Sequence, residues 1–202
     1  MTESDAAKLV FDIRRTLILG GYIRHWGMPE HRWISHHENH AIEVYSFPPR
    51  TDEVVHRFAT VGVSGVNRED GNPATYEFCM ILPRELGGAS DQEVVSFMLD
   101  IAIHCYRKDV RCGVGATVPE TPLMPANWRP KALLFDEPRG EPEELAQFSI
   151  GDQRIELLWL VPIYADEYEL IKTKGIDAFD LLDAQSEWSV ADPGRPSFVS
   201  GD

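Results

Sequence analysis

The spacing of apolar residues changes period several times along this chain, and each change marks an element. Between Ser4 and Leu19 the residues Leu9, Ile13 and Leu17, with Val10 beside them, recur at helical spacing. This predicts a helix capped at Ser4, packed on the core through that stripe and stopped by Gly20 and Gly21. From Tyr22 to Asn39 the period is lost while Trp, His and Pro accumulate, which predicts an ordered covering loop. A β pattern then begins: Ile42, Val44 and Ser46 alternate with Glu43, Tyr45 and Phe47. "VHRFATVGVSG" and "TYEFCMILP" follow, separated by the turn-forming "NREDGNPA", so three strands in antiparallel succession are expected.

Ser90 to Lys108 is the strongest helical segment, because Ser90 and Glu93 form a capping box and Val94, Met98, Ile101 and Cys105 share one stripe. "KALLFDEPRGEPEEL" reads as a short strand running into an exposed acidic loop, Asp136 to Glu144, broken up by Pro138 and Pro142. "AQFSIGDQRIELLWLVPIY" reads as a hairpin turning at "IGDQ", with Ile155 to Val161 apolar enough to be buried on both faces. Pro162 has no amide donor and ends that strand. In the helix after it, Asp166, Glu167 and Glu169 sit early, Lys172 and Lys174 late, and Gly175 at the stop, each charge matching the helix dipole. Tyr164, Tyr168 and Ile171 should face the sheet, and a second short helix, Asp177 to Ala184, precedes the turn "ADPGRPSF". The element order is that of an α+β protein with an antiparallel or mixed sheet and helices packed on it, with residues 1–202 forming one domain.

Composition narrows the class. With 202 residues, 43% hydrophobic and 26% charged, the chain can bury a sizeable core without a metal or disulfide. No apolar stretch has the length of a membrane span, and "MTESDAAKLVFDIRR" lacks the basic start and apolar centre of a secretory signal, so a cytoplasmic location is expected. Cys79, Cys105 and Cys112 form no CxxC pair and are an odd number, which suits reduced structural thiols. The net charge of −14 is uneven: residues 1–135 carry 17 acidic and 14 basic side chains, while residues 136–202 carry 16 and 5. A field of that sign repels nucleic acid and anionic lipid and attracts a basic partner.

No catalytic motif survives inspection. Five of the seven histidines lie between His25 and His40, but in "HHENH" the glutamate and second histidine are out of register with the zinc-protease pattern from either His36 or His37. His104, Cys105 and Cys112 match no standard pair of ligand knuckles. Ser64 in "VGVSGV" lies one residue short of a nucleophile elbow, and "GVGA" at Gly113 to Ala116 is too short for a phosphate loop. With 33 acids, chance alone supplies carboxylate pairs at catalytic separations. No catalytic, metal or cofactor residue is assigned.

"ANWRPKALLF", "FSIGDQRIELLWLVPIYADEYELIKTKGIDAFDLLDAQ" and "VADPGRPSF" together resemble the suppressor-of-fused domain family. Trp128, Pro162, Tyr164, Glu167, Glu169, Gly175, Asp192, Arg195 and Pro196 match its motif positions, and the earlier order of elements fits nearly to the N-terminus. The resemblance implies an α+β protein-binding domain without catalysis. Its eukaryotic members hold a transcription factor in complex, and its single-domain members resemble bacterial immunity proteins that neutralise a cognate toxin. On that reading the partner is a toxin with a basic surface. Asp136, Glu137, Glu141, Glu143 and Glu144 of the acidic loop, with Asp166 and Glu169, contribute to the contact. Pairing of a partner peptide with a sheet edge is one route to binding. The alternatives are a metal-dependent hydrolase using the His25 to His40 segment and a small-ligand module lined by Trp and Tyr.

Overall fold

A computed structural model describes residues 3–37, 40–51, 53–107 and 109–199, without the side chains of residues 3–7 and 37. The described residues include four helices and eight strands. Helix α1 is Glu3–Trp26, and three strands follow, β1 (His31–His37), β2 (His40–Phe47) and β3 (Val55–Val61). Next come β4 (Tyr76–Pro83), α2 (Asp91–His104), β5 (Thr117–Val118) and β6 (Ala132–Asp136). The hairpin β7 (Gln147–Ile150) and β8 (Gln153–Ile163) precedes α3 (Ala165–Lys174) and α4 (Ile176–Asp183). All strands join one sheet in the order β1-β2-β3-β4-β8-β6-β5, with β7 alongside the first residues of β8. The β2-β3-β4 succession is antiparallel as the sequence implied, and β4 and β8 pair in parallel, Tyr76 to Cys79 against Glu156 to Trp159.

Central strands are buried on both faces, so they show little alternation. Phe78, Met80, Leu158 and Leu160 point to one side, where α2 contributes Val94, Met98 and Ile101. Cys79, Ile81, Trp159 and Val161 point to the other, which is covered by residues of α1, α3 and α4 including Ile18, Tyr22, Ile171 and Phe179. The Ser90–Glu93 capping box of α2 is present, with the Glu93 amide donating to the Ser90 hydroxyl and the Glu93 carboxylate accepting the Ser90 amide at 2.8 Å. This helix ends at His104, and the predicted end at Lys108 lies outside the described residues.

Three expectations are corrected. First, α1 runs through Gly20 and Gly21 to Trp26, and it meets the sheet through Phe11, Ile18, Tyr22 and Trp26, leaving Leu9, Val10, Ile13 and Leu17 on the solvent side. The heavy aromatics set the rotation: Tyr22 and Trp26, one turn apart, stack at 4.9 Å and meet Phe47 and Phe148 edge-on. Second, part of the expected covering loop is β1, an edge strand in a hairpin with β2. Glu38 and Asn39 lie outside the described residues.

Third, Cys105 and Cys112 are joined by a disulfide, while Cys79 is an unpaired buried thiol. Cys105 caps the end of α2, and the chain then turns back, which brings the two Cα atoms to 6.3 Å, within bridging range. The cysteines therefore no longer support a reducing compartment. No helix among the described residues is long and apolar enough to cross a membrane.

The adjacent glycines of α1 do different work. A Cβ on Gly21 would lie 2.6 Å from Phe148 Cε1, whereas a Cβ on Gly20 would meet nothing within 4 Å. Gly20→Ala is therefore expected to stabilise the fold by about 0.5–1 kcal/mol through helix propensity. Gly21→Ala should destabilise it by about 1–3 kcal/mol through overpacking. Urea unfolding midpoints at unchanged slope measure both.

Candidate protein-binding surface

The chain after β8 is organised by one buried ion pair. Glu167 lies in the first turn of α3 and Arg195 on the C-terminal segment, and neither has measurable solvent exposure. Arg195 donates from Nη1 to Glu167 Oε1 at 2.6 Å and from Nη2 to Oε2 at 2.8 Å, a two-pronged contact, and also reaches the carbonyls of Pro196 and Pro162. Its guanidinium lies 3.9 Å from the centre of the Phe198 ring. Glu167 accepts two further bonds, from the amides of Tyr164 and Phe198. The expectation that Pro162 ends the strand is corrected: β8 runs through it, with Pro162 opposite Leu133 and Ile163 opposite Ala132, and the Pro162 carbonyl supports the arginine. Of the other motif residues, Trp128 is buried and donates to the Leu86 carbonyl at 2.8 Å, and Tyr164 donates its hydroxyl to the Arg195 carbonyl. These residues hold the fold together.

The acids expected to meet a partner divide into two groups. Asp136 is the last residue of β6, is buried, and pairs with Arg139, which also binds Asp180 and Asp183 on α4. Burial pushes the Asp136 carboxyl above its ordinary pKa, and Arg139 pulls against that shift. Glu141 turns inward: Oε1 accepts from Arg57 Nε at 2.7 Å and Oε2 from Trp26 Nε1 at 2.6 Å. Asp166 accepts from the Ser197 hydroxyl and from the Glu167 amide. Glu137, Glu143, Glu144 and Glu169 are exposed. The loop expected to be uniformly exposed is therefore anchored at Asp136, Arg139 and Glu141 and presents only its remaining acids outward. Arg57 and Trp26 are 84 and 115 residues from Glu141, a separation at which local patterning carries no signal.

Other chemical candidates have structural employment. Ser64 is buried, and its hydroxyl donates to Glu77 at 2.7 Å. That carboxylate also accepts from Thr60 and from the amides of Gly62, Val63 and Ser64. Burial raises the Glu77 pKa, with these donors pulling the other way. The strand assignment of β1 and β2 puts His36 opposite Ala41 in a two-stranded arm. Among the described residues no group of three or more His, Cys, Asp or Glu side chains is placed to hold a metal. A half-open groove of about 680 Å³ between residues 66–69 and the end of α2 is lined by charges of both signs, including Arg68, Glu69, Asp100 and His104. Arg68 there is committed to the carbonyls of Arg107 and Val110.

An open α+β sheet with helices on both faces, closed after its central strand by a buried Arg–Glu lock, defines the class of fold. The sequence pattern of the suppressor of fused protein (SUFU) family matches residues 38–196, and the chain belongs to that family. Among solved structures it is similar to a SUFU homologue from Neisseria gonorrhoeae, with a TM-score of 0.74 at 15% identity, covering 95% of this chain and all of that one. A chain of the Sufu–Fu complex gives a TM-score of 0.63 at 14% identity, with 95% and 91% covered. Drosophila Suppressor of Fused gives 0.57 at 15% identity, with 78% of this chain and 42% of that chain covered. No curated protein matches the chain in sequence.

Inward and outward acids should separate in unfolding experiments. Arg195→Met leaves Glu167 charged in the core and is expected to cost about 3–5 kcal/mol. Glu141→Gln, which weakens the bonds to Arg57 and Trp26, should cost about 1–3 kcal/mol. Glu143→Gln should stay within about 0.5 kcal/mol of the parent chain. A Glu143→Gln effect as large as that of Glu141→Gln would contradict the division.

Proposed function

We propose that this chain is a non-catalytic protein-binding domain of the immunity type, which neutralises a cognate toxin by covering a basic surface. The observation that carries the reading is the outward orientation of Glu137, Glu143, Glu144 and Glu169 beside inward acids already neutralised by Arg57 and Arg139. A loop anchored in this way keeps its outward carboxylates in place before a partner arrives, so little ordering entropy is lost on binding. The family membership supports the reading, as does the similarity to a chain solved in the Sufu–Fu complex. Concentration of the net charge of −14 in the last third adds electrostatic attraction for a basic partner such as a phosphate-binding nuclease surface.

Capture on tagged protein in its own cells, at low and at moderate salt, should recover one dominant basic polypeptide whose yield falls with salt. With that polypeptide purified, Glu143→Lys with Glu144→Lys should slow association about tenfold or more and flatten its salt dependence, since rim charges act mainly on the association rate. Unchanged association kinetics would remove the loop from the contact.

A further inference from the structure

We propose that the Cys105–Cys112 disulfide is a thiol-responsive clasp that sets how firmly the acidic loop is rooted in the fold. The bond joins two unequal sites. Cys105 is fully buried at the end of α2, where its amide donates to the Ile101 carbonyl and its own carbonyl accepts from the Tyr76 hydroxyl at 3.1 Å. Its place is therefore held without the bond. Cys112 is only partly buried, on a segment between α2 and β5 that is neither helix nor strand. Its sulfur is the one a reductant meets.

From Cys112 the chain leads directly to the root of the loop that carries the outward acids. Gly115 donates its amide to the Phe135 carbonyl at 2.9 Å, and Phe135 donates its own amide to the Ala116 carbonyl at 2.9 Å. Phe135 immediately precedes Asp136, where the acidic loop begins. Val114 shares a cleft of about 210 Å³ with Glu137 and Pro138. Beyond Ala116 comes β5, which pairs with β6 over two residues, Thr117 with Leu134 and Val118 with Leu133. The segment that braces the loop root thus has the disulfide at one end and a minimal strand at the other. Residues before it are tied down separately, because Arg68 donates to the carbonyls of Arg107 and Val110 and the Glu69 amide donates to that of Tyr106. Opening the bond therefore frees the residues from Cys112 onward and leaves α2 in place.

The step is thiol–disulfide exchange with a dithiol reductant. A reductant thiolate attacks Cys112 Sγ, the Cys105–Cys112 bond breaks, and Cys105 leaves as a thiolate that takes up a proton in its apolar surroundings. The reductant's second thiol then attacks its own partner sulfur in the mixed disulfide and releases Cys112, which is protonated in turn. Two electrons and two protons pass to the protein, and the reductant ends as a disulfide. Cys79, buried on the opposite face of the sheet, takes no part. A bond across a separation of seven residues restricts little chain entropy, so the reduced domain stays folded. What the clasp governs rests on the protein-binding reading, since it braces the loop presenting Glu137, Glu143 and Glu144, but the clasp itself operates without a partner.

Amide hydrogen exchange on the full chain, oxidised and after dithiothreitol, tests it. Reduction should add the mass of two hydrogens and speed exchange about tenfold or more at the Gly115, Ala116 and Phe135 amides, with α2 and the β2–β4 strands unchanged. Oxidised glutathione should restore the slow rates. Cys112→Ser should exchange as the reduced chain does, with or without dithiothreitol, and should unfold roughly 5–10 °C below the oxidised parent. Failure to capture any toxin leaves these comparisons standing. Three free thiols in chain isolated without reductant, or unchanged exchange at Gly115 and Phe135 on reduction, overturns the proposal. Faster exchange throughout the sheet on reduction also overturns it, since that marks a staple of the whole fold.

Discussion

Arg195 and Glu167 face each other with no solvent contact, and the arrangement of everything after β8 follows from the need to keep both satisfied. A buried guanidinium is tolerable only where its charge is matched and most of its donors are used. Here one carboxylate takes two donors, two proline carbonyls accept from the same two terminal nitrogens, and the Phe198 ring covers one face, while Nε is left without a partner among the described residues. Those partners lie at the end of β8, in the first turn of α3 and on the C-terminal segment. One side chain therefore fixes the exit of the central strand, the start of the helix and the closure of the chain. Hydrophobic packing alone would leave their relative orientation far less defined.

The same rule, applied at lower burial, explains the acidic surface. Asp136 and Glu141 are drawn inward because Arg139, Arg57 and Trp26 offer donors, and in satisfying them they anchor the loop to α4, β3 and α1. Glu137, Glu143 and Glu144, which have no comparable role, remain in water on a backbone already held in place. The scaffold that stabilises the fold thereby presents the charges available to a partner. Fold acids and surface acids are neighbours in sequence, separated by which way the loop turns.

Most elements could be read from local pattern because local physics sets them. The α2 cap was legible from Ser90 and Glu93, the β7–β8 turn from "IGDQ", and the polarity of α3 from Asp166 and Lys174. What escaped local reading depended on distant contacts. The rotation of α1 follows from the aromatic packing of Tyr22 and Trp26 beyond the glycines, although the Leu9-Ile13-Leu17 stripe was the clearer helical signal. The Cys105–Cys112 bond depends on a turn after α2 that has no periodic signature. Glu141 reads as one more loop acid until Arg57 and Trp26 are brought beside it.

Hydrogen exchange on the chain alone and on its captured complex tests the binding account most directly, since it locates the contact without altering any residue. The account predicts new protection across residues 137–145 and on the α3 turn containing Glu169, with little change in β1. Protection confined to β1, or to the groove at the end of α2, would contradict it.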